Sequence, residues 1–334
     1  MGQIALDDEE FKAELKRIAK KVTDFILSTL KGEPQALYNA GLHLVKSGGK
    51  RLRPFIVIKS YNLYKEGEEE ILPASAALEL VHNFTLIHDD IMDRDDFRHG
   101  VPTVHRAYGD AMAILAGDML FAEAFKLLTE TPALDNYKLK LAVATLSKAS
   151  VELCEGQSED VSSISRDFNE NSYYMLINKK TSSLLAASSS IGCIAGGGDE
   201  DDLKNAELFG RKLGIAFQIV DDLLGVIGDP KITGKPVGGD LREGKKTLPI
   251  FLAISKADSN ERKLIERVHG NSSATDEEIE KAVSLIRRLG VEDEVRRIAK
   301  RYADQALRHL NLLPNGSGKV WLEKLVEFVV KRRH

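Results

Sequence analysis

Apolar residues recur every three or four positions along almost the whole chain, and strict two-residue alternation is scarce, so the pattern predicts helices rather than sheet. The first helix is expected over residues 11–30. Pro34 opens a second that reaches about Lys46, where Gly48-Gly49 breaks it, and Pro54 begins another that runs through Tyr64. After a charged link at 66–70, Pro73 starts a long apolar helix that ends in Asp89-Asp90-Ile91-Met92-Asp93. Gly100-Val101-Pro102 marks a loop. Helical spacing returns over 110–129, over 136–155 and, past a polar connection at 162–171, over 173–194. Gly196-Gly197-Gly198 is a break, Asp199 or Asp201 caps a helix that reaches about Ile227, and Gly228-Asp229-Pro230 stops it. Residues 231–244 are polar and glycine-rich, as a lid would be. Further helices follow Lys246, with breaks near Gly270, Gly290 and Pro314, and the last covers 319–332. Roughly a dozen helices, no sheet, no repeat and no linker predict one all-α domain over residues 1–334.

Composition narrows the setting. Hydrophobic residues make up 43% and charged residues 29%, as in soluble globular proteins. A net charge of −4 gives no general attraction to nucleic acid, so basic residues matter only where they cluster. Cys154 and Cys193 form no disulfide framework and suit a reducing, cytoplasmic compartment. The first ten residues lack the basic start and apolar core of a signal peptide, and Leu6 stands where a myristoylation motif needs Ser or Thr. No stretch of about 18 apolar residues predicts a membrane span.

The chemistry concentrates at three places. Five aspartates fall between Asp89 and Asp96, at the end of the long apolar helix. Taken alone they also fit a solvated acidic helix end. Asp89 and Asp93, however, are four apart and share a helix face, and oxygen-only ligands suit Mg²⁺. A second acidic pair, Asp221-Asp222, lies on another helix among apolar residues. Two such pairs facing each other would hold Mg²⁺ ions and clamp a diphosphate between them. The third place, Gly48-Gly49-Lys50-Arg51-Leu52-Arg53-Pro54, puts three cations at a glycine break before a helix, which suits phosphate. Further cations stand at Arg98, Lys179-Lys180, Lys235 and Lys245-Lys246.

In this order, Gly49 to Pro54, Asp89-Asp90-Ile91-Met92-Asp93 followed by Arg98, Lys180-Thr181, Gln218 with Asp221-Asp222, and Gly234-Lys235 followed by Lys245 resemble the motifs of the trans-isoprenyl diphosphate synthases, the polyprenyl synthetase family. The resemblance covers nearly the whole chain and is strongest toward archaeal short-chain enzymes. It implies a helical bundle around a deep central cavity, usually a homodimer, that condenses isopentenyl diphosphate with an allylic diphosphate. It implies Asp89, Asp93 and Asp221 as the principal Mg²⁺ ligands, with Asp90 and Asp222 in support. By the same resemblance the metal complement is about three Mg²⁺ ions, with Mn²⁺ able to take their place. By the same resemblance Arg98, Lys180 and Lys235 hold the allylic diphosphate and Lys245 closes over it. Lys50, Arg53 and His82 hold isopentenyl diphosphate, and Thr181 and Gln218 stabilise an allylic cation through their oxygen dipoles.

Two positions depart from the family pattern. His99 stands where a second arginine usually helps bind isopentenyl diphosphate, and Gly225 replaces the third aspartate of the second motif. Asp229, one turn on, is expected to compensate in part. Product length is expected to follow from the pocket beneath Asp89. Thr85 and Val81 lie one and two turns back along the helix, and Phe84 is fifth before Asp89. In the family an aromatic there, with no insertion inside the first aspartate motif, is typical of archaeal geranylgeranyl diphosphate synthases, and Thr85 stands where farnesyl synthases of the eukaryotic type carry a second aromatic. The expected product is therefore C20, with C15 as the second candidate. A class I terpene cyclase would carry a different metal motif in place of Asp221-Asp222, and a non-catalytic partner subunit would have lost the aspartates.

Overall fold

The computed structural model describes residues 7–162, 169–228 and 238–332. The fold is all-α. In chain order the helices are α1 (Asp8–Thr29), α2 (Gln35–Gly41), α3 (His43–Lys46), α4 (Leu52–Tyr61), α5 (Leu72–Asp93), α6 (Val104–Tyr108), α7 (Asp110–Thr129), α8 (Asn136–Ser162) and α9 (Glu170–Ile177). A π-helical segment, Asn178–Ser182, then leads into α10 (Ser183–Gly196). There follow α11 (Glu200–Ile227), α12 (Gly239–Glu243), α13 (Leu248–Lys256), α14 (Ser259–Val268), α15 (Asp276–Arg288), α16 (Val291–Asn311) and α17 (Lys319–Lys331). No helix among the described residues is long and apolar enough to cross a membrane.

The described residues divide into two compact units. The first takes in Met1–Val151, Leu184–Gly210 and His309–Leu325. Its central element is α5, in which every residue from Leu72 to Val81 is buried. A helix buried on every side is an interior helix, and α5 packs along α7 and α4; its one buried carboxylate in this stretch, Glu79, is paired with Arg51. At the start of α1, Asp7 and Glu10 form a capping box, which fixes its first turn. The apolar stripe Phe11, Leu15, Ile18, Val22 and Ile26 is buried, and the Phe11 ring meets Phe55 of α4 edge-on at 5.7 Å. Beneath this, Lys59 reaches Glu14 at 2.6 Å.

The predicted helix after Pro34 is divided: Leu42, with ψ of −1°, ends α2 before α3 begins. Helix α4 starts two residues ahead of Pro54, because a proline at the third position removes an N–H that has no partner in a first turn anyway. The expected loop at Gly100 is a small antiparallel hairpin, β1 (Phe97–Arg98) with β2 (Val101–Pro102). His99 and Gly100 both have positive φ, 52° and 78°, the backbone that a two-residue hairpin turn requires.

The second unit takes in Glu152–Ser183, Arg211–Arg308 and Val326–His334. Its core gathers Tyr173, Ile219, Leu223, Leu241, Ile250, Ile279, Ile286 and Val295. A Thr275–Glu278 capping box starts α15. The stretch predicted as one helix over 173–194 is interrupted by the π segment, which carries Lys180 and Thr181.

Candidate active site

In the first unit, the last turn of α5 presents Asp89, half-buried, and Asp93, exposed at the final helical residue. Asp90, one position on from Asp89, points the other way: it is fully buried, and its Oδ1 accepts a hydrogen bond from Arg98 Nε. Its Oδ2 is buried with no hydrogen-bond partner among the described residues. Burial pushes the Asp90 carboxyl up to about 6, against the nearby Arg98 charge. Arg98 also lies 3.4 Å from Asp95. Asp90 thus fixes the guanidinium that the β1–β2 hairpin presents.

The basic motif separates by direction. Gly49 has φ of 136° and Arg51 φ of 49°, a left-handed backbone that turns the Arg51 side chain inward. Arg51 is 5% exposed. It donates to Glu79 at 2.8 Å and to the Val45 carbonyl at 2.6 Å, so its charge is satisfied internally. Lys50 is exposed and Arg53 half-buried. The Arg53 Nε has no partner among the described residues, and burial pushes its guanidinium down to about 10. Burial, then the charges of Arg53 and Arg51, holds His82 well below the ordinary imidazole range. Burial, then Arg98, lowers His99 as well. Both imidazoles are therefore neutral near pH 7, each with one donor nitrogen.

Further back along α5, Val81 and Thr85 are buried, and the Thr85 hydroxyl donates to the His82 carbonyl at 2.8 Å. The Phe84 ring packs against His88, 4.7 Å between centroids, and against Phe121 of α7 at 5.0 Å.

In the second unit, α11 turns Asp221 outward, where it lies 3.2 Å from Arg332, and Asp222 inward. The Tyr173 hydroxyl donates to Asp222 Oδ2 at 2.6 Å, and Gln218 Nε2 donates to Oδ1 at 2.7 Å. That bond orients the Gln218 amide, so its Oε1 accepts from the Thr181 hydroxyl at 2.8 Å. Burial pushes the Asp222 carboxyl up to about 7; the Tyr173 bond opposes this and the Asp240 charge adds to it. Lys180 Nζ meets Asp160 at 2.7 Å. Lys245 lies 3.5 Å from Asp240 and 2.7 Å from Glu243, and these carboxylates raise its ammonium pKa against the effect of burial. Lys235 and Asp229 lie outside the described residues.

No three described His, Cys, Asp or Glu residues converge as a ready-made metal set. Each motif instead offers one or two outward carboxylates, which fits a hard cation that keeps waters and takes phosphate oxygens as its remaining ligands. Asp160, Tyr173, Asp240 and Arg332 join the site here without having been singled out by pattern. Asp160 and Tyr173 look like ordinary helix positions, and only the polar run ahead of Lys245 marked the neighbourhood of Asp240.

Residues 34–286 match the Polyprenyl synthetase family model. The chain belongs to the polyprenyl synthetase family. It is 42% identical to a short chain isoprenyl diphosphate synthase of Methanocaldococcus jannaschii, over 81% of this chain and 82% of that one. It is 40% identical to a geranylgeranyl diphosphate synthase of Sulfolobus acidocaldarius, over 97% of this chain and 99% of that one. Among solved structures, the geranylgeranyl pyrophosphate synthetase of Pyrococcus horikoshii superposes with a TM-score of 0.89 at 37% identity, covering 97% of this polyprenyl synthetase and 99% of that chain.

Proposed function

We propose that this polyprenyl synthetase condenses isopentenyl diphosphate with allylic diphosphates of C5 to C15 and releases geranylgeranyl diphosphate. The observation that carries the reading is the chain Thr181–Gln218–Asp222. The Thr181 proton is committed to Gln218, which leaves lone pairs of a hydroxyl and an amide oxygen beside an aspartate pair, with no thiol or amine among them. Such oxygens stabilise a carbocation without trapping it.

Asp89, Asp93 and Asp221 are the Mg²⁺ ligands in this reading, with Asp90 and Asp222 supporting them, at about three ions to a site. When bound, Mg²⁺ neutralises the diphosphate as a leaving group. Arg98, Lys180 and Lys235 hold the allylic diphosphate, and Lys245 closes over it. Lys50, Arg53, His82 and His99 hold isopentenyl diphosphate. The isopentenyl double bond attacks the allylic carbon, and the departing diphosphate takes the final proton. Phe84 sets the C20 length, because a bulky ring packed on Phe121 and His88 has little room to yield.

The protein acts as one domain: the matched residues 34–286 run through both compact units. It acts as a cytoplasmic homodimer; Ile114, Leu115 and Val151 expose apolar side chains that a second copy would cover. Diphosphate release that needs both substrates and Mg²⁺ tests the reaction, and release from an allylic diphosphate alone would argue for a cyclase.

A further inference from the structure

The π segment Asn178–Ser182 is gripped from two sides in the same way. From α8, Gly156 faces it so closely that a Cβ there would lie 2.5 Å from Lys180 N and 2.9 Å from its Cα. One turn further along α8, Asp160 holds the Lys180 ammonium at 2.7 Å. From α11, a Cβ on Gly214 would lie 2.6 Å from Ser182 Cα and 2.8 Å from its Oγ. One turn further along α11, Gln218 holds the Thr181 hydroxyl at 2.8 Å. Each helix thus brings a glycine to the widened backbone and, four residues on, a polar group to the side chain that this backbone carries. The segment also answers its own loosened bonds: Ser182 Oγ donates to the Ile177 carbonyl at 3.2 Å and Ser183 Oγ to the Lys179 carbonyl at 2.6 Å.

A π turn inserts one residue into a helix and rotates everything beyond it by about 100° relative to an uninterrupted α-helix. Left to itself the segment would relax toward α geometry, and Lys180 and Thr181 would leave the directions of Asp160 and Gln218. We infer that Gly156 and Gly214 are positioning residues, whose missing side chains let two helix backbones press on the π segment and so hold Lys180 and Thr181 in catalytic register. The inference rests on the prenyltransferase reading above.

Its test needs a glycine that is equally crowded yet presses on α-helical backbone outside the segment. Gly210 on α11 is that control: a Cβ there would lie 2.5 Å from the Leu185 carbonyl and from Ser189 Oγ, on α10. Wild type, Gly156→Ala, Gly214→Ala and Gly210→Ala are compared for Tm, for kcat, for KM of each substrate, and for affinity toward inorganic diphosphate with Mg²⁺. Gly156→Ala and Gly214→Ala are expected to lose about tenfold to a hundredfold in kcat. In Gly156→Ala the allylic KM rises and diphosphate binds more weakly, while KM for isopentenyl diphosphate stays put. Gly210→Ala is expected to lose as much Tm and keep kcat within about twofold. Loss of kcat in step with Tm across all three, or wild-type kcat in the first two, overturns the inference. A wild-type protein that neither turns over nor binds diphosphate overturns the reading of the site, and this inference with it.

Discussion

The Asp240 carboxylate occupies the space that a side chain at position 225 would fill: a Cβ on Gly225 would overlap Asp240 Oδ2. Asp240 is 7% exposed, and its charge acts on Asp222. The second motif therefore keeps a third acidic group beside Asp221-Asp222, supplied by α12 instead of by α11. Restoring the family aspartate with Gly225→Asp should lower activity, and should destabilise by about 1–3 kcal/mol through crowding and like charge. In Asp240→Ala the space opens, so Gly225→Asp on that background should do less harm than on the wild type. A double-mutant cycle measures the coupling, and strict additivity would contradict the shared space.

His99 stands at a turn position with positive φ, and its imidazole is held below its ordinary pKa by burial and by Arg98. It becomes a cation only as pH falls below the usual imidazole range. The KM for isopentenyl diphosphate should therefore fall as pH is lowered in the wild type. His99→Arg should bind isopentenyl diphosphate more tightly at pH 7 and without that pH dependence. Equal KM values across the pH range in both proteins would remove His99 from the site.

Phe84 touches Phe121 and His88, so replacing it with alanine opens a void along α5. Phe84→Ala should shift the product distribution past C20, read by chromatography of the dephosphorylated alcohols. An unchanged distribution would assign the ring to packing alone.

Stability at acid pH has a nameable contributor in Glu14, which has no part in the proposed chemistry. Hydrogen bonds from Arg17 hold the Glu14 carboxyl down to about 2 against burial, with help from Lys59. Because this folded-state pKa lies below the unfolded one, the stabilisation is complete above about pH 4.5 and is lost as pH falls toward 2. Glu14→Gln should therefore destabilise by on the order of 2 kcal/mol at pH 7. The gap from wild type, read by urea unfolding, should narrow steadily below pH 4.5. A gap that does not change with pH would place the effect in packing.

Much of this was legible in the sequence for physical reasons. Pro73 and the mostly apolar run after it read as a buried helix, and α5 begins at Leu72. The aspartates were legible because carboxylates are rarely left crowded on an apolar helix without a partner. Direction was not legible. Lys50 and Arg51 are neighbours of one charge type, yet a left-handed φ of 49° sends Arg51 to the buried Glu79 and leaves Lys50 exposed. The same holds for Asp89 and Asp90. Long-range partners such as Asp160 for Lys180 leave no mark on periodicity. The π segment hides because its apolar spacing differs from a helix by a single residue. The hairpin at His99 was missed because two-residue strands are too short to alternate; the His-Gly pair at its turn was the available sign.

Purified protein would be given isopentenyl diphosphate and Mg²⁺ with C5, C10 or C15 allylic diphosphate in turn, and the products resolved by chain length. A C20 diphosphate is the expected main product from each starter, with none in Asp89→Ala. A cyclic hydrocarbon from an allylic diphosphate alone, or no condensation with any starter, would contradict the prenyltransferase reading.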